Sequence, residues 1–206
     1  RKELKNLVSD GVPKEEAYFK AGIDKHFKIF SFLHSVGHAS VKNAVEIGVS
    51  YPWACQFRDE ILRTNGEIVL LKNGWKTNNG TWSPIRFSLI DVRPEICQTL
   101  QHCFGSFENV NVYNFGISDE TSVKTMVWKD GSTYQKGIES PAVQTLNDKQ
   151  NKEFQYQCFS FGEVDTGDID VLHADIEGNE YFVLKTMKSR PLIITLELFT
   201  IDPEYS

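Results

Sequence analysis

The chain has 206 residues, enough for one domain with a sizeable core and too few for two typical ones. Hydrophobic residues make up 40% and charged residues 24%, the balance of a soluble globular protein, and the formal net charge of -6 argues against a general nucleic-acid-binding surface. No apolar run approaches the ~20 residues that a membrane helix needs.

Residues 1–40 read as an N-terminal helical segment. The chain opens at Arg1 with neither a methionine nor a signal-like stretch, which reads as a trimmed start. Pro13-Lys14-Glu15-Glu16 has the proline and early acids of a helix start, and Gly22 ends that helix. Ile23, Phe27, Phe30 and Leu33 then form an apolar stripe closed by Gly37. Such a stripe serves either as a cover on a sheet face or as a lid over a ligand. Ala44-Val45-Glu46-Ile47-Gly48 is a short apolar strand, Val49 to Pro52 a turn, and Trp53, Ala54, Phe57 and Ile61 share one helical face. Strand, glycine turn and helix open a nucleotide-type fold. With one glycine and no following Gly-Lys-Ser/Thr, the turn is neither a GxGxxG fingerprint nor a P-loop.

Residues 65–86 read as an excursion with Asn79-Gly80 as a hairpin signal. A core strand follows over 87–92, and Pro94 opens a helix that buries Ile96, Cys97, Leu100, Cys103 and Phe104 before Gly105 stops it. The third core strand spans 110–117. A second excursion runs near 119–160: Val123 to Trp128 leads into Asp130-Gly131, a further hairpin signal, residues 131–153 read as a flexible loop, and Phe154 to Phe161 alternates as a weak strand. Neither excursion interrupts the domain, which takes in the whole of 1–206 with its α/β core over 41–206. The four cysteines, Cys55, Cys97, Cys103 and Cys158, show no CxxC pair or zinc spacing. Buried, reduced thiols in a cytoplasmic protein are the reading.

The densest chemistry lies in Ile169 to Glu180. An apolar strand carries His173, Asp175 and Glu177 at alternate positions, on one predicted face, and turns into a helix at Gly178 with Glu180 in its first turn. Read structurally, the same carboxylates are a solvated strand end and a helix cap. The helix runs to about Lys188, and 191–198 is a fifth buried strand. Strands separated by helices predict a mostly parallel, doubly wound sheet with helices on both faces, in which the first and fourth core strands adjoin at the switch point. That order brings the Gly48 turn beside Asp175 and Glu177, with Asp91 on the other side. Asp91 is suited to the two hydroxyls of a ribose; its alternative role is a partner for the start of helix 94–104.

These residues resemble the FkbM-type methyltransferases, within the class I fold that uses S-adenosylmethionine. Val45-Glu46-Ile47-Gly48-Val49-Ser50 resembles the family's acid-x-Gly-Ala-Asn turn. Leu89-Ile90-Asp91-Val92-Arg93-Pro94 resembles its aromatic-acid-proline block, Val110 to Asp119 its third strand with a Ser-Asp pair, and Ile193 to Leu198 its fifth strand. Leu172-His173-Ala174-Asp175-Ile176-Glu177-Gly178-Asn179-Glu180 resembles the Lys-x-Asp-x-Glu-Gly-x-Glu block, the most specific of the five. The resemblance covers about residues 44–198. Pro52 stands where a glycine is common, His173 where a lysine is usual, and Gly48 and Asp91 are about twice as far apart as the ~20 residues of a compact dinucleotide unit.

The resemblance implies a Rossmann-like class I methyltransferase, transferring a methyl group from S-adenosylmethionine to a hydroxyl of a small molecule or sugar and leaving S-adenosylhomocysteine. Glu46 and the Gly48–Ser50 backbone would cradle the methionine part, Asp91 with Val92 the ribose, and Gly116, Ile117, Ser118 and Asp119 the adenine. Asp175 would position the donor, and Glu177 or His173 would serve as base, although a mid-strand histidine also reads as a core residue. No metal is demanded, but His173, Asp175, Glu177 and Glu180 offer oxygen and nitrogen ligands for one. Two other classes stay open: an inactive Rossmann-like binding domain, and a nicotinamide-dependent oxidoreductase, which the missing GxGxxG disfavours. Trp75, Trp82, Trp128 and Tyr134 sit in the excursions, where they would suit a sugar or flat-ring acceptor or simply pack the excursions down. No nucleic acid or membrane partner is expected.

Overall fold

In the computed structural model, residues 33, 41–52, 54–65, 85–129, 132–138 and 151–197 are described. The rest of the predicted N-terminal segment, most of the excursion at 65–86, and Trp53, Trp75 and Trp82 lie outside them. Leu33 is helical and buried against the core.

Five short strands, rich in apolar and β-branched residues, form one parallel sheet: β1 (Asn43–Ile47), β2 (Arg86–Asp91), β3 (Val110–Asn114), and, far along the chain, β8 (Val171–Ala174) and β9 (Ile193–Leu196). Their order is β3-β2-β1-β8-β9. The chain winds outward from β1 in one direction, then returns to start β8 on β1's other side, with Glu46 opposite His173 and Ile47 opposite Ala174. This is an α/β architecture compatible with a Rossmann-like fold, with its switch point between β1 and β8.

Side chains alternate across the sheet. One face carries Ala44, Phe87, Leu89 and Val171, packed with Phe57 and Ile61 of the segment around α1 (Arg58–Thr64) and with Ile96, Leu100 and Phe104 of α2 (Pro94–Phe104). The other carries Val45, Ile47, Ile90, Leu172 and Ala174, packed with Phe161 of α3 (Phe161–Val164) and Val183 of α4 (Glu180–Thr186). An 11-residue helix such as α2 is marginal alone, and its start has Pro94 but no side-chain cap. Its buried Ile96, Leu100 and Phe104, each worth about 1.5–3 kcal/mol, hold it on the sheet. Cys103 departs from the predicted stripe and is exposed, whereas Cys55, Cys97 and Cys158 are buried; all four are free thiols.

A second sheet stands where an excursion was expected: β4 (Gly116–Ser118), β5 (Ser122–Lys129), β6 (Ser132–Gln135) and β7 (Lys152–Ser160), ordered β4-β7-β5-β6. The predicted third strand therefore divides at Phe115, with 110–114 in the parallel sheet and 116–118 in the second. Residues 132–135, read as loop, are a strand. Lys129 pairs with Ser132 and Trp128 with Thr133, so the Asp130-Gly131 signal lies between two paired strands.

Two buried groups tie the sheet to its loops. Gly48 has φ +83, and a Cβ there would sit 1.8 Å from the Asp175 carbonyl oxygen. Glu46 is 1% exposed on the α1 face of the sheet. Its Oε1 and Oε2 accept from the Gln56 N–H at 2.9 and 3.0 Å, while Oε2 also takes the Phe57 N–H at 3.3 Å and the Cys55 thiol at 3.2 Å. Burial nevertheless pushes the Glu46 carboxyl up to about 7.

Gly48→Ala is expected to cost about 3–5 kcal/mol in urea denaturation, because the added carbon meets backbone in a left-handed conformation. For Glu46 the folded protein keeps a proton that the unfolded chain loses above its ordinary 4.5, so stability falls as pH rises from 4.5 to about 7 and levels off beyond. Glu46→Gln cannot ionise. Relative to wild type it should gain about 3 kcal/mol of unfolding free energy between those two pH values. A constant difference would show that Glu46 ionises normally.

Candidate functional site

At the carboxyl ends of β1, β2 and β8 a crevice opens, lined on the parallel-sheet side by Ile47, Gly48, Ser50, Asp91, Asp175 and Glu177. Phe115 between the two sheets, Gly116, Ile117 and Met126 of the second sheet, and Ser132 and Thr133 of β6 form the opposite wall. It holds about 160 Å³, less than the ~300–1,000 Å³ of common ligand pockets, so a nucleoside-sized ligand would extend past its mouth.

Asp91 is 4% exposed and serves the loops around it. Oδ1 accepts the Arg93 N–H at 2.8 Å and its Nε at 3.3 Å, and Oδ2 accepts the Ser50 N–H at 3.2 Å. Three of the about four lone-pair sites of a carboxylate are thus taken, leaving room for one further donor. Burial pushes its carboxyl above the ordinary value, against the pull of Arg93. Arg93 lies over the Tyr51 ring, 5.8 Å from its centroid, and itself lines the crevice. Arg93 was assigned no role from the sequence, although it stands in the Leu89 to Pro94 block directly after Asp91-Val92. Val92 lines the crevice as well.

β8 ends at Ala174, so the alternation expected to run on to Glu177 stops. Asp175 donates its N–H to the Ile47 carbonyl at 3.0 Å, and Glu177 turns into the left-handed region at φ 56. Among the described residues the only other non-glycine with positive φ is Ser50, at 58, which also borders the crevice. Strained backbone gathers where a site needs a fixed shape. His173 goes elsewhere. It lies mid-strand opposite Glu46, and its Nδ1 meets Thr195 Oγ1 at 2.8 Å. His173, Asp175 and Glu177 therefore do not share one face.

Glu180 is a loop fastener, accepting the N–H groups of Ile176 at 2.7 Å and Gly178 at 2.9 Å. Among the described residues no group of three or more His, Cys, Asp or Glu is placed to hold a metal, so the His173, Asp175, Glu177 and Glu180 set does not assemble. Asp175 is different again. Burial, a hydrogen bond shared with Glu197 and the nearby charges of Glu177 and Glu180 push its carboxyl up to about 8.

Of the residues assigned to the donor from the sequence, Gly48, Ser50, Asp91, Val92, Gly116, Ile117 and Asp175 meet in the crevice, and Glu177 joins them. Glu46 faces α1. Ser118 packs against Gln135, with Oγ 2.6 Å from its Oε1, and Asp119 pairs with Lys124 at 2.8 Å on the surface. Sequence reasoning passed over Thr133 and Asn179. Both line the crevice, and Thr133 Oγ1 and the Oδ1 of Asn179, a residue 3% exposed, are buried without a hydrogen-bond partner. Buried polar atoms are rarely left so, and two along one crevice fit a polar ligand. Thr133 sits in no motif, and Asn179 stands at an unspecified position of the Leu172 to Glu180 block, so neither was marked for a role.

Among the described residues no helix is long and apolar enough to cross a membrane. No protein-family model, no curated protein and no solved structure matches the chain.

Proposed function

We propose that the chain is a methyltransferase dependent on S-adenosylmethionine, of the class I fold and similar to the FkbM type, that methylates a hydroxyl of a small molecule or sugar. One observation carries the reading: the Gly48 turn, Asp91, Asp175 and Glu177 border a single crevice at the β1/β8 switch point.

The residues present fit such a donor in most respects. Thr133 and Asn179 offer unpartnered polar atoms, and Asp175 and Glu177 offer carboxylates to a cation. Asp91 has capacity for one ribose hydroxyl rather than two. Glu46 takes no part, being committed to the start of α1. Asp91, Ser50, Gly116 and Asn179 would hold the donor. When bound, S-adenosylmethionine supplies a methyl group whose bonding electrons stay on sulfur. Asp175 positions. Glu177 accepts the acceptor's hydroxyl proton as that oxygen gains the methyl group. Placing two acids near a cation favours binding without itself lowering the barrier, because the positive charge fades in the transition state.

Burial and the hydrogen bond shared with Glu197 hold the Asp175 carboxyl up to about 8, so meeting a sulfonium would require that pair to lose a proton. Calorimetric affinity for S-adenosylmethionine should therefore rise with pH, by up to tenfold per unit, until about 8, and then flatten. Asp175→Asn should remove that dependence. Glu177→Gln should keep donor affinity within a few-fold and slow methyl transfer by about 10²–10⁴. Wild-type transfer by that variant would leave Glu177 a structural residue. Failure of the wild-type chain to bind S-adenosylhomocysteine would overturn the methyltransferase reading.

A further inference from the structure

A second cavity, of about 520 Å³, lies beside the crevice, lined by Arg93, Pro94, Glu95, Trp128, Lys152, Phe154, Gln155 and Tyr156. It has the volume of a small-molecule site. Its floor is the second sheet. β5 and β7 pair antiparallel with Trp128 opposite Lys152, Met126 opposite Phe154 and Lys124 opposite Tyr156, so these side chains share a face. On the other side of β5, Thr133 of β6 is opposite Trp128. A single row, Lys152-Trp128-Thr133, thus runs from the pocket into the crevice, and Met126 and Phe154 make a parallel step. Arg93 borders both spaces.

We propose that this pocket is the acceptor site and that it takes a glycosyl ring, with the reacting hydroxyl passing Arg93 to enter the crevice near Thr133. The acceptor role rests on the methyltransferase reading; the ring-binding role does not. Three aromatic residues, Trp128, Phe154 and Tyr156, match the apolar C–H patch of a pyranose. The Lys152 ammonium and Glu95 carboxylate, both on exposed residues, offer a donor and an acceptor at the rim, as a ring bearing several hydroxyls requires. A flat phenol has one hydroxyl and would leave most of that rim unused. The buried Thr133 Oγ1, lacking a partner in the crevice, gains one from a hydroxyl arriving along the row.

Saturation-transfer NMR of the full chain with the methyl glycosides of glucose, galactose and mannose, and with phenol as a flat-ring control, tests the site. At least one glycoside should receive saturation. The signal should fall about fivefold or more in Trp128→Ala and in Lys152→Ala, while S-adenosylhomocysteine affinity stays within twofold. Lys152 is exposed, so Lys152→Ala should fold as wild type and decides the matter if Trp128→Ala does not fold. Absence of signal from all three glycosides, a signal unchanged in Lys152→Ala, or a response to phenol alone would overturn the proposal. S-adenosylhomocysteine binding without glycoside binding would overturn this site and leave the methyltransferase reading standing. Glycoside binding without S-adenosylhomocysteine binding would remove the acceptor role and leave a ring-binding pocket.

Discussion

The carbonyl of Asp175 rests where a side chain on residue 48 would begin, and the geometry of the crevice follows from that contact. Residue 48 is held from both sides, donating its N–H to Ile90 of β2 at 2.8 Å while the preceding Ile47 carbonyl accepts from Asp175 at 3.0 Å. Only a residue without Cβ, free to adopt φ +83, can lie between two parallel strands in this way. Because the chain turns so tightly there, Ser50 reaches the Asp91 carboxylate, and Asp91 in turn fixes Arg93. The close approach of the β1 and β8 loops is thus what sets Asp91 and Asp175 on two sides of one space.

Buried carboxylates do the rest of the fastening. Glu46 holds 55–57, Asp91 holds residues 50 and 93, and Glu180 holds 176 and 178. Asp165 gathers the N–H groups of Gly167, Lys188 and Ser189. Each sits at or near an element end where orphan backbone donors need an acceptor. Asp175 stands apart, because its neighbours are acids rather than N–H groups and its surroundings oppose ionisation. Glu46 and Glu180 are committed to the fold, Asp91 keeps one acceptor position beyond its loop contacts, and Asp175 lines the crevice among other acids.

The parallel strands were legible because buried strands in such sheets are continuous apolar runs, and α2 because Pro94 and its stripe mark a helix. The second sheet was less so. Its strands carry Lys124, Thr125 and Thr133 at half-buried positions and Lys129 and Gln135 at buried ones, which weakens alternation, and β6 has only four residues. The Asp130-Gly131 signal already implied a strand on each side of it. Within Ile169 to Glu180 the period-2 rule failed because β8 stops at Ala174 and Glu177 adopts positive φ, neither of which side-chain identity announces. Glu46 and His173 read as site residues by position, yet they point from the sheet face, not from its end. Arg93 and Asn179 stand inside quoted blocks at positions whose side chains the blocks leave open, and Thr133 reaches the crevice only through the pairing of β6 with β5.

Phe115 alone joins the two sheets along the chain between β3 and β4, its ring edge-on to Phe159 with centroids 5.1 Å apart. The parallel sheet carries the turn and the acids, and the second sheet supplies the opposing wall from β4, β5 and β6. Substitution on that wall leaves the hydrogen-bonded centre of the parallel sheet untouched. The two halves can therefore be altered separately: a substitution on the wall reshapes the space, while the turn and acids opposite it keep their own hydrogen bonds.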